Sequence, residues 1–465
     1  MPKSGDRPSV KTQGSSVANG DKSRRDFLGS TTAGVTVAGI AASMPASSYA
    51  KVLGANERVR VGVIGIKGMG YGHIRGYSEL DNVEVVAICD VDENVLNDKL
   101  GRMQEDGLPQ PETYIDLRKL YDDKTIHAVS VATPNHWHSL AALWAVQAGK
   151  HAAIEKPGTH NYFEGQQLIK ASARYNRMIQ HHAERRCFAG YKAAMKFLHE
   201  GGLGEVYMAK GLCYKWRSSI GRAEQQPVPS GVHYDLWLGP APVRPFTKNR
   251  FHYNWHWHWD YGNGDIGNQG AHQMDIARWG LGVTLPTKIS SIGGHFMFDD
   301  DQETPNTQIS VLEFPNQAGG GDKKKLLQFE VRHWATNHEG GLGRGSGNNI
   351  GNIFYGSEGY MTIDSSGQWK TYMGKKREPG PSGSGGGDMF KNFVTAIRAD
   401  DRDLLEGDIT EGHYSCALIH MANTSYRLGR SLEFDPQTER YIDDEAANAM
   451  LTRDYRAPYV IPEQV

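Results

Sequence analysis

The sequence predicts an α/β protein with a doubly wound parallel sheet, followed by an α+β domain built on a large, open, mostly antiparallel sheet. Two observations support this architecture. From Arg58 an apolar strand pattern runs directly into a glycine-rich turn and a helix, which is the start of a parallel βαβ unit. After residue 180, alternating strand patterns follow one another without intervening helices, which is typical of an antiparallel sheet. The 465 residues suffice for two or three domains.

The composition excludes two broad classes of protein. Lys plus Arg number 51 and Asp plus Glu 53, a net charge of -2, so the chain does not hold nucleic acid through a global positive charge. A hydrophobic fraction of 38% with 10 Trp and 21 Tyr excludes a disordered chain. Among the 55 glycines, the short groups at 65–72 and 262–270 stand where backbone would approach a ligand closely.

Residues 1–50 are predicted to be a twin-arginine signal peptide and its lead-in. Arg24 and Arg25 precede Phe-Leu and an uncharged stretch of small and apolar residues, 29–42. A basic head before an apolar middle is typical of an export signal, and the arginine pair resembles the twin-arginine type. The stretch is too short to span a bilayer. We expect a periplasmic or otherwise exported protein without stable membrane insertion; the alternative is a disordered N-terminus with a chance arginine pair.

The first predicted domain, residues 58–180, has the parts of a Rossmann-type dinucleotide-binding fold. The turn contains Gly65, Gly68 and Gly70, where backbone approaches a pyrophosphate and the following helix supplies N–H donors. The next strand ends at Asp90. A carboxylate there accepts hydrogen bonds from free ribose hydroxyls and repels a 2′-phosphate, which favours NAD over NADP.

The glycine pattern departs from GxGxxG at its second position. Lys67 stands where the second glycine would be, and Met69 follows within the same turn. Both are expected among the cofactor-binding residues. The cationic side chain of Lys67 either lies over a phosphate or points into solvent, and the sequence leaves both readings open.

Three later motifs resemble the Gfo/Idh/MocA family of NAD(P)-dependent oxidoreductases. They are ATPN with a histidine three residues after its asparagine, then AGKH, then EKP directly after a strand pattern. The resemblance runs from Arg58 to Gln180, and EKP is its most distinctive part. It implies a Rossmann domain beside a sheet domain that carries the substrate.

The resemblance also implies roles for individual residues. In the family the lysine of EKP lies beside the nicotinamide and the substrate, which implies that place for Lys156 and makes it a candidate for proton transfer. Glu155 and Asn135 are similarly implied as contacts of the ribose and the nicotinamide side. Thr133 and His138 complete the expected cofactor-binding set, with Thr133 shaping the turn between strand and helix.

The second predicted domain, residues 181–435, is expected to bind the substrate on its sheet. Strand patterns such as EVYMAKGLCYKW and KLLQFEVRHW alternate residue types. A helix at 411–428 would, by the resemblance, pack back on the first domain. Residues 436–465 are predicted to form a C-terminal tail.

Several candidate catalytic side chains lie in a segment that begins with glycines and continues as a predicted helix. Asn268, His272 and Asp275 are spaced by four and three residues and would share one helix face. The family pattern has an aspartate where this chain has Asn268, and an amide can orient a hydroxyl but cannot take its proton. We therefore expect His272 to be the base, with Lys156 or Asp265 assisting; the alternative is a hydrogen-bonded core histidine.

The preceding residues, 252–260, are polar or aromatic at nearly every position. An extended conformation would place tryptophans on one side and histidines on the other: Trp255, Trp257 and Trp259 against His256 and His258. Aromatic faces stack on sugar rings, so Trp257 and His258 are expected to contact a carbohydrate. A zinc site and a packing or subunit-contact loop are the rival interpretations. No Cys or HExxH frame lies nearby, and we expect no metal.

Arg185 and Arg186 lie between the two predicted domains. They would either clamp an acidic group of the substrate or form ordinary interdomain ion pairs, and we favour the ion pairs while keeping Arg185 among the candidate substrate-binding residues.

The leading hypothesis is an exported oxidoreductase that transfers a hydride between a sugar or glycoside carbinol carbon and tightly bound NAD, since free NAD is expected to be scarce outside the cytoplasm. One alternative is an NAD-dependent, redox-neutral glycoside hydrolase that works by oxidation, elimination, hydration and reduction. A second is a non-catalytic sugar- or NAD-binding protein. We expect a small carbohydrate as substrate and a homo-oligomer as the assembly.

Overall fold

The computed structural model describes residues 58–315, 323–334, 337–342 and 347–465. The predicted export signal at 1–50 lies outside the described residues, so it stays a prediction. Within the described part of the chain, no helix is both long enough and apolar enough to cross a bilayer.

The first domain is built on six strands. They are β1 (Val59–Ile64), β2 (Val83–Cys89), β3 (Glu112–Tyr114), β4 (Ala128–Val131), β5 (His151–Ile154) and β6 (Ile179–His181). All neighbours pair in parallel in the order β3-β2-β1-β4-β5-β6, which confirms the predicted doubly wound sheet. The strand order reverses between β1 and β4, and sheets of this kind bind ligands at that reversal, outside the carboxyl ends of the strands.

Five helices connect these strands. They are α1 (Met69–Ser78), α2 (Glu93–Glu105), α3 (Leu117–Asp122), α4 (Asn135–Gln147) and α5 (Tyr162–Arg174). Helices α2, α3 and α5 start at side-chain caps, because Asp92, Asp116 and Asn161 each accept a hydrogen bond from a backbone N–H of the first turn. Helix α1 has no such side-chain cap; its N-cap residue Gly68 lines the cavity described below.

The second domain is built on ten strands. They are β7 (Val206–Lys215), β8 (Lys288–Gly294), β9 (Thr307–Pro315), β10 (Lys324–His333), β11 (Asn349–Gly356), β12 (Gly359–Asp364), β13 (Trp369–Met373), β14 (Glu378–Gly383), β15 (Leu432–Asp435) and β16 (Arg440–Tyr441). Their order is β14-β13-β12-β11-β7-β10-β9-β8-β15-β16, and among these described strands only β7 and β10 pair in parallel. The predicted open, mostly antiparallel sheet is confirmed.

The described residues after β6 also form helices. They are α6 (Ala189–His199), α7 (Tyr234–Leu238), α8 (Gly264–Asn268), α9 (Gly270–Leu281), α10 (Met389–Ala399), α11 (Ile409–Leu428) and α12 (Glu445–Ala449). Helix α11 packs on α5 of the first domain and on α9 and β8 of the second. It begins where the Asp408 side chain accepts from Thr410 N and ends at Gly429, which has a φ of 67°.

The residues predicted as a tail, 436–465, are packed against both domains. Their first part forms β16 and α12, and β16 pairs with β15. Tyr459 and Ile461 are buried in the core of the first domain, where the Tyr459 ring meets the edge of Trp137 at a centroid distance of 5.5 Å.

A buried ion pair links the segment between the domains to helix α9. The Arg186 guanidinium donates to both carboxylate oxygens of Asp275 at 2.8–3.0 Å, and Ser415 Oγ donates to the same carboxylate at 2.5 Å. Burial alone would raise the pKa of Asp275, but Arg186 and Arg278 hold it below its usual value. The ion pair expected of Arg186 is present, and its partner Asp275 lies within the second domain.

Candidate active site

A cavity of about 370 Å³ lies at the carboxyl ends of the first-domain strands. The first domain contributes the glycine turn and the residues that follow β2, β4 and β5, including Gly65, Lys67, Gly68, Met69, Asp90, Thr133, Asn135, Trp137, His138, Glu155 and Lys156. The second domain contributes Leu236, Trp237, His252, Tyr253, Trp255, His256 and Asn268. The cavity is therefore closed by residues of both domains.

The glycine turn has no room for side chains at two of its positions. Gly65 has a φ of 78°, and a Cβ there would lie 2.8 Å from Thr133 N. A Cβ on Gly70 would lie 1.8 Å from Gly65 O, so Gly70 supports the turn and does not itself line the cavity. At Gly68 a Cβ would meet nothing within 4 Å. The turn is therefore closely packed at Gly65 and Gly70 and leaves open space at Gly68, an arrangement that suits the binding of a pyrophosphate.

Asp90 directly follows β2 and lines the cavity. Its carboxylate accepts from Ile66 N at 3.0 Å and from Asp92 N at 3.1 Å. Burial, against these two hydrogen bonds, raises the pKa of Asp90 to about 6. Lys67 faces the same cavity, and burial lowers its pKa although Asp92 and Asp90 oppose that shift. Asp90 has the position expected of a group that binds ribose hydroxyls.

Two polar atoms on the floor of the cavity have no hydrogen-bond partner within the protein. They are Thr133 Oγ1 and Asn135 Oδ1, both buried. By contrast, His138 is fully used, since its ring nitrogens lie 2.8 Å from Pro157 O and 2.7 Å from Thr133 O. Buried polar atoms are nearly always satisfied, so the two unpartnered atoms mark a place for a polar ligand. The residues present fit a dinucleotide.

Lys156 connects the two domains at the inner end of the cavity. Its ammonium donates to the backbone oxygen of Asn268 at 2.9 Å and to Asn268 Oδ1 at 3.1 Å. The amide nitrogen of Asn268 donates in turn to Asp265 Oδ1 at 2.9 Å. Lys156 therefore acts as a hydrogen-bond donor to two oxygens of Asn268.

Asp265 does not line the cavity and is occupied by cationic partners. Arg217 Nε donates to it at 2.5 Å, and His333 Nε2 lies 2.7 Å from the same carboxylate oxygen. Burial alone would raise the pKa of Asp265, but Lys215, Arg217 and His333 hold it well below its usual value. A carboxylate so stabilised is a poor base, and the expectation that Asp265 assists proton transfer is not supported by its contacts.

The predicted face of Asn268, His272 and Asp275 is divided between two helices. Helix α8 ends at Asn268 and α9 begins at Gly270, so the expectation of one continuous helix was wrong. Asn268 lines the cavity and Asp275 binds Arg186, whereas His272 is buried outside the lining with Nδ1 unpartnered. Burial, with the charges of Arg185 and Lys156, keeps the pKa of His272 well below its usual value. Arg185 lies near His272 and does not line the cavity.

The segment 230–256, hereafter the wall segment, closes the cavity from the second domain. Near its first and last residues it binds the strand-to-helix turn after β2: Glu93 N donates to Gly231 O at 2.9 Å, and His252 Nε2 lies 2.7 Å from Asp92 Oδ2. Between them, Trp237 O accepts a hydrogen bond from Trp137 Nε1 at 3.0 Å. The wall segment is therefore fixed on both sides of the cavity.

The tryptophan and histidine run is not extended, which corrects the prediction. Residues 254–257 form a 3₁₀ turn, and Gly262 allows its close approach, since a Cβ there would lie 2.7 Å from His256 Cα. Trp257 is buried against Arg217 and His333. His258 is buried between Asn249 O and Glu303. Neither Trp257 nor His258 lines the cavity, whereas Trp255 and His256 do.

Sequence reasoning missed Trp237, His252 and Tyr253 as cavity residues. His252 and Tyr253 belong to the polar run that the sequence did single out. Trp237 lies in a five-residue helix far from any motif, and no sequence signal pointed to it.

One group of side chains could hold a metal ion. Among the described residues, this group consists of His73, Glu155 and His182, whose possible ligand atoms lie within 4.8 Å of one another. His73 Nε2 lies 3.1 Å from Glu155 Oε1, and its Nδ1 lies 2.9 Å from Ser130 Oγ. Burial alone would raise the pKa of Glu155, but His182, His73 and Lys156 hold it well below its usual value. His182 Nδ1 lies 3.7 Å from Glu155 Oε1, and neither ring nitrogen of His182 has a hydrogen-bond partner.

Two family descriptions match the chain. Residues 59–182 match the oxidoreductase family with an NAD-binding Rossmann fold, and residues 194–291 and 385–461 match its C-terminal alpha/beta domain. These matches fall on the two domains that the structure shows.

Similar proteins include a glycosyl hydrolase family 109 protein of Shewanella pealeana, 34% identical over 170 residues; the match covers 32% of this chain and only 37% of the relative. Among solved structures, the WlbA dehydrogenase of Bordetella pertussis in complex with NADH and UDP-GlcNAcA has a TM-score of 0.59 and 18% identity, covering 81% of this chain and 99% of that one. The aldose-aldose oxidoreductase of Caulobacter crescentus, complexed with glycerol, has a TM-score of 0.60 and 16% identity, covering 81% and 100%.

At these identities the solved structures establish the shared fold. The family matches do more, because they cover over half of the chain and include the glycine turn, Asp90 and Lys156 that form the cavity. The first domain is accordingly an NAD-binding domain, and the chain belongs to the Gfo/Idh/MocA family of oxidoreductases.

Proposed function

We propose that the protein is an exported oxidoreductase that transfers a hydride between a carbinol carbon of a sugar or glycoside and tightly bound NAD. The observation that carries this proposal is the meeting of Lys156 and Asn268 at the inner end of a cavity whose other end is a dinucleotide cradle. Bound NAD supplies the hydride acceptor or donor. The Lys156 ammonium holds the substrate oxygen, and Asn268 orients it.

Tight binding of NAD is supported by the wall segment. It contacts the adenosine side of the cavity through Asp92 and the opposite side through Trp137. A ligand enclosed by both domains leaves only when these contacts open, which slows its dissociation. An exported enzyme needs this property, because it cannot draw on a cytoplasmic NAD pool.

A carbohydrate substrate is supported by the chemistry of the wall segment and by the relatives. Trp255, His256 and Tyr253 bring aromatic faces and hydrogen-bonding groups to the cavity, the combination that suits a polyhydroxylated ring. The relatives include proteins named for action on sugars. Their likeness supports the substrate class and names no particular sugar.

The alternative function is a redox-neutral glycoside hydrolase, favoured by the family 109 relative at 34% identity. In it, transient oxidation of one carbon acidifies the neighbouring C–H bond, elimination releases the glycosidic group, water adds, and the hydride returns. The second alternative, a non-catalytic sugar- or NAD-binding protein, does not require the cationic Lys156 beside the substrate end.

Aryl glycosides and free hexoses separate these functions. The purified protein is mixed with each compound, and absorbance is followed at the wavelengths of NADH and of the released phenol. Reduction of bound NAD without phenol release supports the oxidoreductase; phenol release without net NADH supports the hydrolase. Neither signal, with sugar binding retained, supports the binding protein. Lys156→Ala should abolish either reaction, whereas Lys170→Ala, at an exposed position of α5, should leave it unchanged.

Export and a homo-oligomeric assembly remain part of the proposal. Ile292 on β8 is 75% exposed and Phe296, just after that strand, is 70% exposed, and a second copy that covered them would bury apolar surface. Light scattering of the purified protein measures the assembly, and localisation of an Arg24→Lys/Arg25→Lys variant measures dependence on the twin-arginine route.

A further inference from the structure

Three side chains from separate elements of the first domain converge beside the cavity. His73 lies on α1, Glu155 directly follows β5, and His182 directly follows β6. Their possible ligand atoms lie within 4.8 Å of one another. The side chains of both histidines have no exposed surface, whereas Glu155 lines the cavity. The group is therefore buried within the domain, and its carboxylate connects it to the cavity.

His182 has hydrogen-bonding capacity that no described residue uses. Neither of its ring nitrogens has a hydrogen-bond partner, and Nδ1 lies 3.7 Å from Glu155 Oε1, which is beyond hydrogen-bond distance. The ring is held in this place by its backbone, because His182 N donates to Ile154 O at 2.8 Å. Buried polar atoms are nearly always satisfied, and a neutral imidazole always presents one lone pair. The buried ring is therefore suited to bind a cation.

The other two side chains are oriented toward the same point. Lys156 N donates to Glu155 Oε2 at 3.1 Å, and the second oxygen, Oε1, lies 3.1 Å from His73 Nε2. His73 Nδ1 lies 2.9 Å from Ser130 Oγ, a hydroxyl that can accept its hydrogen. With the hydrogen on Nδ1, Nε2 keeps its lone pair for a metal, as is usual for metal-bound histidines. A hydrogen bond from His73 to Glu155 would explain that one contact and would leave His182 unsatisfied.

The separations between these atoms suit the ligands of one metal ion. Zinc lies about 2.0–2.1 Å from a histidine nitrogen and about 2.0–2.2 Å from a carboxylate oxygen, so two such ligands at the tetrahedral angle are about 3.4 Å apart. The distances from Glu155 Oε1 to the two histidines, 3.1 and 3.7 Å, lie on either side of that value. Each histidine therefore needs to shift by only a few tenths of an ångström relative to Oε1.

We propose that His73, Glu155 and His182 bind a divalent transition-metal ion of the zinc type, and that this ion ties α1 to the ends of β5 and β6 beside the cofactor cavity. Two imidazoles and one carboxylate, without a thiolate, suit zinc and its neighbours in the series. The ion accepts one lone pair from each histidine and one from Glu155 Oε1. The site does not depend on the proposed reaction, since it requires neither the sugar nor its oxidation.

The test is Zn²⁺ binding by the full chain after metal is removed with EDTA and the chelator is dialysed away. Calorimetric titration with Zn²⁺ measures affinity and stoichiometry. We expect one ion per chain, a Tm that rises with added zinc, and the visible absorption of four-coordinate Co²⁺ when cobalt replaces zinc. Ser130→Ala leaves the three ligands in place and should weaken zinc binding roughly 10–100-fold, and His182→Ala, which removes a ligand, should weaken it by more than about 100-fold.

His199→Ala is the matched control, because it removes an exposed histidine on α6 and should keep the wild-type affinity for zinc. Circular dichroism shows whether each variant is folded, and Ser130→Ala decides the question if His182→Ala does not fold. A wild type that binds no zinc overturns the site, as does a folded Ser130→Ala or His182→Ala protein that binds zinc as tightly as His199→Ala. Because no substrate is present, each of these failures leaves the proposed function intact.

Discussion

The two sides of the cavity differ in how the sequence determines them. The first-domain side is made of strand ends and the turns that follow them: Gly65, Asp90 and Lys156 come within two residues after the ends of β1, β2 and β5. The wall segment is placed by distant residues such as Asp92 and Trp137. The first side is a rigid cradle that many dinucleotide enzymes share, whereas the wall segment gives this protein its own chemistry. Variants on each side should therefore fail in different ways.

The largest expected effect concerns the buried ion pair of helix α9, which follows the cavity residue Asn268. Asp275→Asn breaks the buried pair with Arg186, and removal of one partner of a buried pair costs about 3–5 kcal/mol. Urea denaturation should show that loss. Glu200→Gln, in the exposed pair with Lys196, should change the free energy of unfolding by less than about 0.5 kcal/mol. Equal effects of the two variants would mean that the Arg186–Asp275 pair does not stabilise the fold.

The next largest effect is a loss of NAD binding caused by a change in the glycine turn of the first-domain side. Gly70→Ala places a Cβ 1.8 Å from Gly65 O, so the turn must move; overpacking of this kind costs about 1–3 kcal/mol and should abolish NAD binding. Gly72→Ala, in the same helix with nothing within 4 Å, should bind NAD normally and gain about 0.5–1 kcal/mol. Calorimetric titration with NAD and thermal denaturation measure both. Normal NAD binding by Gly70→Ala would refute the cradle.

A smaller effect tests the wall segment. His252→Ala removes a hydrogen bond to the Asp92 carboxylate, a contact of about 1.5–3 kcal/mol, and should speed NAD dissociation roughly tenfold while the domains stay folded. His233→Ala, in a more exposed pair with Glu93 on the same segment, should change that rate less than about twofold. Stopped-flow displacement of the cofactor measures the rates. Identical rates in both variants would show that the wall segment does not retain NAD.

The most gradual effect is a loss of stability in acid. Burial lowers the pKa of several histidines: to about 3 for His136, His256 and His420, and to about 4 for His151, His181 and His413. Their pKa in the unfolded chain is about 6.5, so the unfolded state binds more protons as the pH falls below that value. Stability should be full above pH 6.5 and decline toward pH 4. Asp90, with its pKa raised to about 6, and Glu164, whose pKa burial also raises, act in the opposite sense.

Thermal denaturation between pH 7.5 and 4.5 checks this expectation. We expect Tm to fall steadily below pH 6.5. A Tm that is constant or rises over that interval would show that these histidines are not neutral in the folded protein.

The first-domain side of the cavity was largely predictable. A strand, a glycine turn and a helix are local patterns, and ten of the eleven predicted cofactor-binding residues line the cavity, Gly70 supporting the turn from behind. The two sheets were also predictable, because hydrophobic alternation distinguishes buried parallel strands from antiparallel ones.

The second-domain side was less predictable because its conformation depends on long-range contacts. Trp257 and His258 were expected to contact the substrate, but both are buried away from the cavity. Trp257 packs against Arg217 and His333, and His258 contacts Glu303. The helix break at Gln269 has a similar origin, since the Asn268 carbonyl is taken by Lys156, 112 residues earlier. Such pairings carry no signal in a single sequence.

The most direct test of the account is mass spectrometry of the protein as purified, without added nucleotide. We expect a complex that is heavier than the chain by the mass of one NAD or NADH. Denaturation should release that dinucleotide, and Gly70→Ala should carry none. A preparation that carries no nucleotide, and that binds none when NAD is added, would contradict the central claim that this cavity holds NAD.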